Sequence, residues 1–566
     1  MKVRSIKMLV LPVVVMSLLV APSALAGPGG PNGSKGSHVT QGTDVKATND
    51  NNNVDGGTPN PSFDAQNRQS NETTVAISPA NPSIVAVGAN DYRMVPVFAD
   101  AWLGFYVSAD GGVTWFNTMV PGFPSDTSPA GLASPLLGLD GSGDPVVRFD
   151  AAGNLYAAGI AFNRDFDQQD LNNDTVVYVA KYDYTPGTPG GTSTPNSAAN
   201  PPNFTYAFTT IVDRGAVGFA IPNPAGPGGN PFGIAGIFDD KNWLATDNFS
   251  GSSCFGNVYY SYTKFVGSLG GQAVIQFARS TDGGATFSEP LQISQKGKDG
   301  THLTQGSNIA VAPNGTVYVV YRTFPTNADP TFKVQVVRSS DCGQHFGKPV
   351  TAAVFSPMPR QAAGLTFRTP TETWIAADDT NSNIVYVAYM AMAGSPANAD
   401  IFVARSTDGG KTWGSPAKVN DDTTSKHQFW PAITVSNGAL HVAWYDFRDS
   451  PTPGDPAATN DMLNVYYASS NTTGVAYPAF SHNVKVTDIP HNPNCLMFGG
   501  GTVGFHGDYI ELAARYDGTN HIVHVAWADN RDVSPCDLDP APGSPGGLNT
   551  GNRNQNIYAD TLTVSP

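Results

Sequence analysis

Apolar residues fall along the chain in short runs that come in pairs, and each run has about the length of a β-strand. The second runs are the more regular and are residues 84–88, 155–158, 258–262, 317–321, 385–389, 440–444 and 523–527. The first runs are residues 74–77, 146–149, 243–245, 309–311, 374–376, 432–435 and 509–512. Seven such pairs, separated by turn-forming residues, predict seven units of antiparallel strands.

One octapeptide, Ser-Thr-Asp-Gly-Gly-Lys-Thr-Trp at 406–413, has the composition of a tight hairpin turn. Asp408 can accept hydrogen bonds from the backbone N–H groups that follow it, and the two glycines can adopt positive φ. Close copies stand at 108–115 and 280–287, and a divergent copy stands at 339–346. Each copy follows a strand-like run, so the octapeptide marks an internal repeat.

This octapeptide resembles the Asp box, or bacterial neuraminidase repeat, of the sialidase superfamily, whose members are β-propellers. The resemblance implies an all-β fold, a single β-propeller of four-stranded blades over residues 66–566, with the Asp-box hairpins on one face. Seven blades are favoured because seven strand pairs are present, and six blades, the number in sialidases, are the alternative. The implied function is a glycan-directed glycoside hydrolase of the exo-sialidase type. A noncatalytic propeller that binds glycans or proteins outside the cell is the alternative, because Asp boxes also occur in such proteins.

The composition and the N-terminus predict an exported protein. The formal net charge is −15, which argues against nonspecific binding of nucleic acid. Residues 1–26 have the basic start, apolar centre and Ala-x-Ala end of a signal peptide. We therefore expect a secreted monomer that has no membrane span after cleavage and whose partner is an extracellular glycan or glycoprotein.

Residues 27–65 are rich in glycine, asparagine, serine and threonine, and they are predicted to form a flexible leader. The last unit contains only three candidate strands, the third at 556–564. A fourth strand, drawn from the leader between 38 and 47, is expected to pair with the edge that would otherwise stay open.

The four cysteines allow three disulfide pairings, and the predicted topology favours one of them. Cys254 lies in a turn between first and second strands, and Cys342 lies in the Asp box of the next unit, on the same face. Cys495 and Cys536 both lie on the other face. Cross-pairing would have to span the thickness of the propeller, so Cys254–Cys342 and Cys495–Cys536 are predicted.

Repeat order also predicts the functional face. The loops that enter first strands and those that leave second strands share the face opposite the Asp boxes. Polar and charged residues precede the first strands, at Glu72, Asp144, Asp239, Asp240, Lys241, Gln305, Glu372, Gln428, His506 and Asp508. Arginines follow second strands, at Arg93, Arg322, Arg448 and Arg531. A polar ring over the central channel is expected, and interblade ion pairs and turn caps are the alternative explanation for any one residue.

The resemblance to sialidases suggests roles within this ring. Sialidases bind the sugar carboxylate with three arginines, which suit it in a bidentate manner, and use a tyrosine nucleophile with an aspartic acid. The predicted catalytic residues are Tyr445, Asp446 and Asp508. The predicted ligand-binding residues are Arg93, Arg322, Arg448, Arg531, Asp529 and Glu372. The Phe/Tyr-Arg-Ile-Pro motif of sialidases has only an approximate counterpart, at 92–96, with an extra residue.

One acidic segment offers candidate ligands for a metal ion. Asp165, Asp167, Asp170 and Asp174 supply the oxygen ligands that calcium prefers, but the segment lacks the glycine and terminal glutamate of an EF-hand. A solvated acidic loop is the favoured interpretation. No cofactor is expected to be required, and structural calcium bound by this segment is the alternative.

Overall fold

The computed structural model describes residues 38–49, 69–92, 101–163, 175–194, 196–216, 221–222, 232–233, 236–266, 272–295, 303–327, 329–362, 364–394, 398–451, 461–472, 474–498, 503–534, 536 and 554–566. The predicted signal peptide, most of the predicted leader, Arg93 and the whole acidic segment at 165–174 lie outside these residues. In the parts of the chain that are described, no helix is long and apolar enough to cross a membrane.

Two short strands, β1 (Val39–Thr40) and β2 (Val45–Lys46), precede the first blade. Blade 1 contains β3 (Ser70–Ile77), β4 (Val85–Asp91), β5 (Trp102–Ser108) and β6 (Phe116–Met119). A single helical turn, α1 (Pro129–Leu132), leads to blade 2, which contains β7 (Gly141–Phe149), β8 (Leu155–Phe162), β9 (Thr175–Tyr184) and β10 (Phe204–Arg214). A minor hairpin of β11 (Ile221–Pro222) and β12 (Phe232–Gly233) follows.

The next four blades repeat the same plan. Blade 3 contains β13 (Ile237–Thr246), β14 (Val258–Val266), β15 (Gln272–Ser280) and β16 (Leu291–Gln292). Blade 4 contains β17 (Thr304–Val311), β18 (Val317–Thr323), β19 (Phe332–Ser339) and β20 (Val350–Phe355). Blade 5 contains β21 (Trp374–Ala377), β22 (Val385–Ala393), β23 (Asn398–Ser406) and β24 (Ala417–Lys418). Blade 6 contains β25 (Gln428–Ser436), β26 (Ala439–Asp446), β27 (Asn464–Ser470) and β28 (Val484–Lys485).

A second minor hairpin, β29 (Leu496–Phe498) and β30 (Val503–Gly504), leads to blade 7. Blade 7 contains β31 (Glu511–Tyr516), β32 (His521–Asp529) and β33 (Asn556–Val564). The first strand of every blade contacts the first strands of both neighbouring blades, and these contacts close a ring. The prediction of an all-β propeller with seven antiparallel blades is confirmed, and the six-bladed alternative is wrong.

The N-terminal strap, which we define as residues 38–49, completes blade 7. In this blade β33 pairs with β1 through Val39 and Val564, and with β2 through Val45 and Ala559. The strap therefore occupies the outer position that β6 or β28 occupies in its own blade. This is the edge at which the sequence predicted an added strand.

The blades are held together by apolar faces on both sides of each sheet. Every residue of β4 and of β8 is buried, because each side of these second strands packs against a neighbouring blade or strand. This explains why the second runs in the sequence are continuously apolar rather than alternating.

The four copies of the octapeptide form the same hairpin turn between third and fourth strands, and we call them the aspartate turns. In the copy at 406–413, Ser406 Oγ accepts from Gly410 N at 2.8 Å, and Asp408 accepts from Thr412 N at 2.9 Å and from Thr412 Oγ1 at 2.6 Å. These hydrogen bonds lower the pKa of Asp408. Because strands alternate in direction, the aspartate turns lie at the end of each blade opposite to the start of its first strand.

Both predicted disulfides are confirmed. The Cα atoms are 5.4 Å apart in Cys254–Cys342 and 4.9 Å apart in Cys495–Cys536. The first disulfide links blade 3 to an aspartate turn of blade 4, and the second joins the segments before and after the first two strands of blade 7.

Removal of the strap tests its contribution to ring closure. Deleting residues 27–49 should lower the melting temperature, because β33 would then present an unpaired edge. Deleting only residues 27–37 is the matched control, since it keeps both strap strands, and it should leave the melting temperature nearly unchanged. Equal melting temperatures for the two deletions in calorimetry would contradict a stabilising role for the strap.

Candidate active site

The candidate site is organised by a β-bulge near the start of the first strand in five blades. The strand register shifts between positions 71 and 74, 143 and 146, 240 and 243, 305 and 308, and 429 and 432. One residue in each bulge has positive φ: Glu72 (57°), Asp144 (54°), Lys241 (49°), Gly306 (73°) and Trp430 (49°). This backbone is strained for any residue other than glycine, and bulges of this kind often redirect side chains next to active sites.

Strand pairing identifies one equivalent residue in each blade. Blades 5 and 7 have no bulge at this point, and the equivalent residues there are Glu372 and Tyr509, two places before the paired residues Trp374 and Glu511. The seven equivalent residues are Glu72, Asp144, Lys241, Gly306, Glu372, Trp430 and Tyr509. They mark the mouth of the central channel on the face opposite the aspartate turns.

Contacts between blades that are not neighbours show which side chains meet at the axis. Lys241 Nζ of blade 3 lies 3.9 Å from the ring centroid of Tyr509 of blade 7. The rings of Trp243 and Trp374, from blades 3 and 5, are 4.7 Å apart in an edge-to-face contact. Trp243, Trp374 and Tyr509 are almost fully buried, so they form an aromatic floor beneath the polar mouth.

Ion pairs hold the arginines of the mouth. Arg368 donates to Asp508 through Nε at 2.7 Å and through Nη2 at 2.6 Å, and Nη2 lies 3.7 Å from Glu72. Arg322 lies 3.2 Å from Glu372 and also donates to the backbone carbonyl of Thr371. The bidentate geometry of the Arg368–Asp508 pair fixes both side chains in orientation as well as in distance.

Two carboxyls of the mouth hold their protons more firmly than usual. Burial, with the nearby charges of Asp144 and Asp508, raises the pKa of Glu72 well above its ordinary value. Burial and Asp144 likewise raise the pKa of Asp240. A carboxyl with a raised pKa can donate a proton near neutral pH, which is the property of a general acid.

Three arginines approach one another at this mouth. Desolvation by the surrounding side chains and the like charges of Arg368 and Arg322 lower the pKa of Arg360, and the charges of Asp508 and Asp240 oppose this shift. Arg360 is exposed, and none of the ion pairs found among the described residues involves it. Its guanidinium is therefore available to a ligand at the edge of the cluster.

The structure brings some of the predicted site residues to the mouth. Asp508, Glu372 and Arg322 are members of the cluster, and so are the residues that the sequence placed before first strands, such as Glu72 and Asp144. Arg93 and the aspartates Asp165, Asp167, Asp170 and Asp174 fall outside the described residues. Their predicted roles stay predictions.

Arg448 and Arg531 belong instead to a motif that is present in both blade 6 and blade 7. Trp-x-Asp-x-Arg stands at 444–448 and at 527–531. In each copy the tryptophan donates to the aspartate at 2.8 Å, and the arginine pairs with that aspartate at 2.7 Å. Each guanidinium also lies 4.1 Å from a tyrosine ring of the third strand, Tyr466 or Tyr558. The predicted convergence of these arginines on the axis is therefore wrong, because the stacked tyrosine and the paired aspartate hold them within their own blades.

Tyr445 and Asp446 are both buried within blade 6. Tyr445 is fully buried, its hydroxyl donates to the Ala528 carbonyl at 2.8 Å, and its ring packs on His506. Asp446 and Asp529 are the fully buried aspartates of the repeated motif. The Tyr445 hydroxyl is thus directed to the backbone of blade 7 and not to the acids of the mouth, which disagrees with its predicted catalytic role.

Sequence reasoning missed Arg360, Arg368 and Tyr509. The two arginines lie in the segment that joins blade 4 to blade 5, which matches no repeated position. The apolar pattern of the sequence places Tyr509 inside a first strand, at 509–512, whereas β31 begins only at Glu511. Alignment of Tyr509 with Glu72 and Asp144 would have identified it as an equivalent position, but the bulges that make this alignment possible are visible only in the strand pairing.

No metal centre is found in the part of the chain that the structure describes: no group of three or more histidine, cysteine, aspartate or glutamate residues there is arranged to hold an ion. The acidic mouth is instead balanced by arginine and lysine side chains. Residues 165–174 are not among the described residues, so structural calcium there stays a prediction.

No family model matches the chain, and no curated protein is significantly similar to it in sequence. Among solved structures it is similar to the Trypanosoma rangeli sialidase in complex with the inhibitor DANA, at 12% identity and a TM-score of 0.38. That match covers 71% of this chain and 55% of the sialidase chain, so the chain spans about half the length of that protein.

Two further matches cover nearly the whole of both chains. The GH93 α-L-arabinofuranosidase of Fusarium graminearum with arabinobiose matches at 12% identity and a TM-score of 0.40, over 93% of this chain and 98% of the other. A protein of unknown function from Dyadobacter fermentans matches at 13% identity and a TM-score of 0.37, over 93% and 99%. Two of these three proteins are glycoside hydrolases by name. The identities and scores are too low to assign an activity, and the seven-bladed fold described above stands on the strand pairing of this chain.

Asp239, the residue before Asp240, gives a pH-dependent test of the structure. It is fully buried, neither carboxyl oxygen has a hydrogen-bond partner, and Lys264 Nζ is 3.8 Å away. Burial, opposed by Lys264, raises the pKa of Asp239 to about 7. The native state therefore keeps a proton that the unfolded state releases near pH 4, so the free energy of unfolding should fall as pH rises from about 4 to about 7.

The variant Asp239→Asn should remove this component of the pH dependence. The difference in free energy of unfolding, variant minus wild type, should increase from pH 5 to pH 8 by on the order of a few kcal/mol. Denaturant titrations of both proteins at several pH values in this range measure the difference. A difference that is constant with pH would contradict the raised pKa.

Proposed function

We propose that the protein is an exported, sialidase-like glycoside hydrolase whose substrate is a glycan that carries a carboxylate. The observation that carries this proposal is the meeting of Arg322, Arg360 and Arg368 with the proton-holding acids Glu72 and Asp240 at one mouth of the channel. The two disulfides are consistent with export, because such bonds persist in oxidising compartments.

Recognition of an anion is supported by the charges of the mouth. Arg360 has no carboxylate partner among the described ion pairs, and it is crowded by two other guanidiniums. Arg368 is paired with Asp508 and lies 3.7 Å from Glu72, and Arg322 is paired with Glu372. A ligand carboxylate would relieve the repulsion on Arg360, and guanidinium groups bind carboxylates in a bidentate manner.

Hydrolysis needs a proton donor and a nucleophile. Glu72 and Asp240 suit the first role because their raised pKa keeps them protonated at higher pH than ordinary carboxyls. Tyr509 is our candidate for the second role in place of Tyr445. Its support is the contact with Lys241 Nζ and the nearby carboxylate of Glu511, which can accept the phenolic proton.

A noncatalytic glycan-binding propeller is the second candidate. It is favoured by the burial of Tyr509, which is only 1% exposed, and by the paired state of Arg322 and Arg368. Binding of a carboxylated glycan without turnover would decide for this candidate.

Turnover of a panel of fluorogenic glycosides tests the proposal, with a sialoside, a uronide and neutral sugars included. Wild type should cleave a carboxylated member, and Arg360→Ala should reduce kcat/KM roughly 10- to 100-fold, the effect of losing a hydrogen bond to a charged group. The control is Arg405→Ala, because Arg405 lies on the aspartate-turn face over the ring of Tyr477. Cleavage of neutral sugars alone, or equal losses in both variants, would contradict the proposal.

A further inference from the structure

The N-terminal strap lies beside a row of buried side chains that leads from the outer edge of blade 7 to the candidate site. We propose that the strap holds the Asp508–Arg368 pair in place through this row, so that Asp44, Arg531, Asp529, His491 and His506 act as positioning residues. The proposal concerns the control of the site described above, and its meaning for catalysis rests on the proposed function.

The row begins where the strap meets blade 7. The Asp44 side chain is 2% exposed, and its Oδ2 atom lies 2.7 Å from Arg531 Nη1. The other end of the Arg531 guanidinium donates to Asp529 Oδ2 at 2.7 Å. One guanidinium thus connects a carboxylate of the strap to a carboxylate of β32, and the ring of Tyr558 supports it from one side.

The next contact in the row is between Asp529 and a histidine. The carboxylate is fully buried, and His491 Nδ1 lies 3.2 Å from Asp529 Oδ2. Although burial opposes ionisation, His491 and Arg531 together lower the pKa of Asp529. His491 is itself anchored to blade 6, because its backbone exchanges two hydrogen bonds with Leu463.

Two histidines then meet face to face. His491 Nε2 and His506 Nε2 are 3.1 Å apart, and the ring centroids are 4.9 Å apart. Both are almost completely buried. Burial and the neighbouring His491 lower the pKa of His506, which favours a neutral His506 imidazole.

His506 lies close to both members of the ion pair between Asp508 and Arg368. It precedes Asp508 by two residues along the chain. Its ring is 5.8 Å from the ring of Phe367, the residue immediately before Arg368. Movement of His506 would therefore displace Asp508 and Arg368 together, and their two hydrogen bonds of 2.7 and 2.6 Å would be strained.

Blade 6 supplies a matched comparison for the same local motif. Arg448 pairs with Asp446 at 2.7 Å and with Asp421 at 2.8 Å, as Arg531 pairs with Asp529 and Asp44. Asp446, however, is contacted by Trp444 and Gln428, and none of its described partners is a histidine. The two outer aspartates should thus contribute similarly to stability. Among the described contacts, the row from Asp44 reaches His506 through ion pairs and polar contacts, whereas blade 6 reaches it through the ring of Tyr445.

The experiment compares Asp44→Asn with Asp421→Asn in the full-length protein. Arginine labelled with ¹⁵N reports on the Nε–H group of Arg368, which donates to Asp508, and Arg368→Lys assigns its resonance. Asp44→Asn should shift or broaden this resonance, and Asp421→Asn should leave it in place. Histidine labelling should show the same contrast at the ring nitrogens of His491 and His506.

Activity provides the second measurement if wild type turns over a substrate. Asp44→Asn should lower kcat/KM about tenfold, within the usual range for coupling between sites, and Asp421→Asn should change it less than about twofold. An unmoved Arg368 resonance in Asp44→Asn, or equal shifts in both variants, would overturn the positioning role. Absence of turnover in wild type would contradict only the proposed function, because the resonance measurement does not depend on it.

Discussion

Closure of the ring is the constraint on which the rest of this structure depends. Seven sheets pack side by side only if the first strand of each blade contacts the first strands of both neighbours, and this brings seven equivalent residues to one axis. The strap completes the seventh sheet, so the chain is closed by strand pairing between its two ends. The same closure that buries the blade faces also forces charged side chains such as Glu72, Asp144 and Lys241 into one small volume.

That crowding determines the chemistry of the mouth. Charges removed from water are tolerated when they are paired, and the Arg368–Asp508 and Arg322–Glu372 pairs meet this need. Burial and nearby negative charges raise the pKa of Glu72 and of Asp240, so these two acids keep a proton at higher pH than ordinary carboxyls do. A protonated carboxyl can donate a proton to a leaving group, and a neighbouring guanidinium can bind an anionic substrate.

Much of the fold could be predicted from the sequence because it is encoded in repeats. Paired apolar runs gave the blade count, and the octapeptide turns gave the two faces, from which both disulfides followed. The site was predictable only in part. Residues at repeated positions, such as Glu372 and Asp508, were found, whereas Arg360 and Arg368 lie in a connecting segment with no repeat to identify it. Arg448 and Arg531 occupy repeated positions, but the stacking of each guanidinium on a third-strand tyrosine turns it away from the axis, and sequence order alone does not show this contact.

The most direct test of the account is a crystal structure of the protein soaked with N-acetylneuraminic acid, a sugar that carries a carboxylate. The account predicts an ordered sugar at the channel mouth, with its carboxylate within hydrogen-bond distance of Arg360 and its ring above Tyr509. A sugar bound instead beside Arg448, beside Arg531 or on the face of the aspartate turns, with the channel mouth open to solvent in the same crystal, would contradict it.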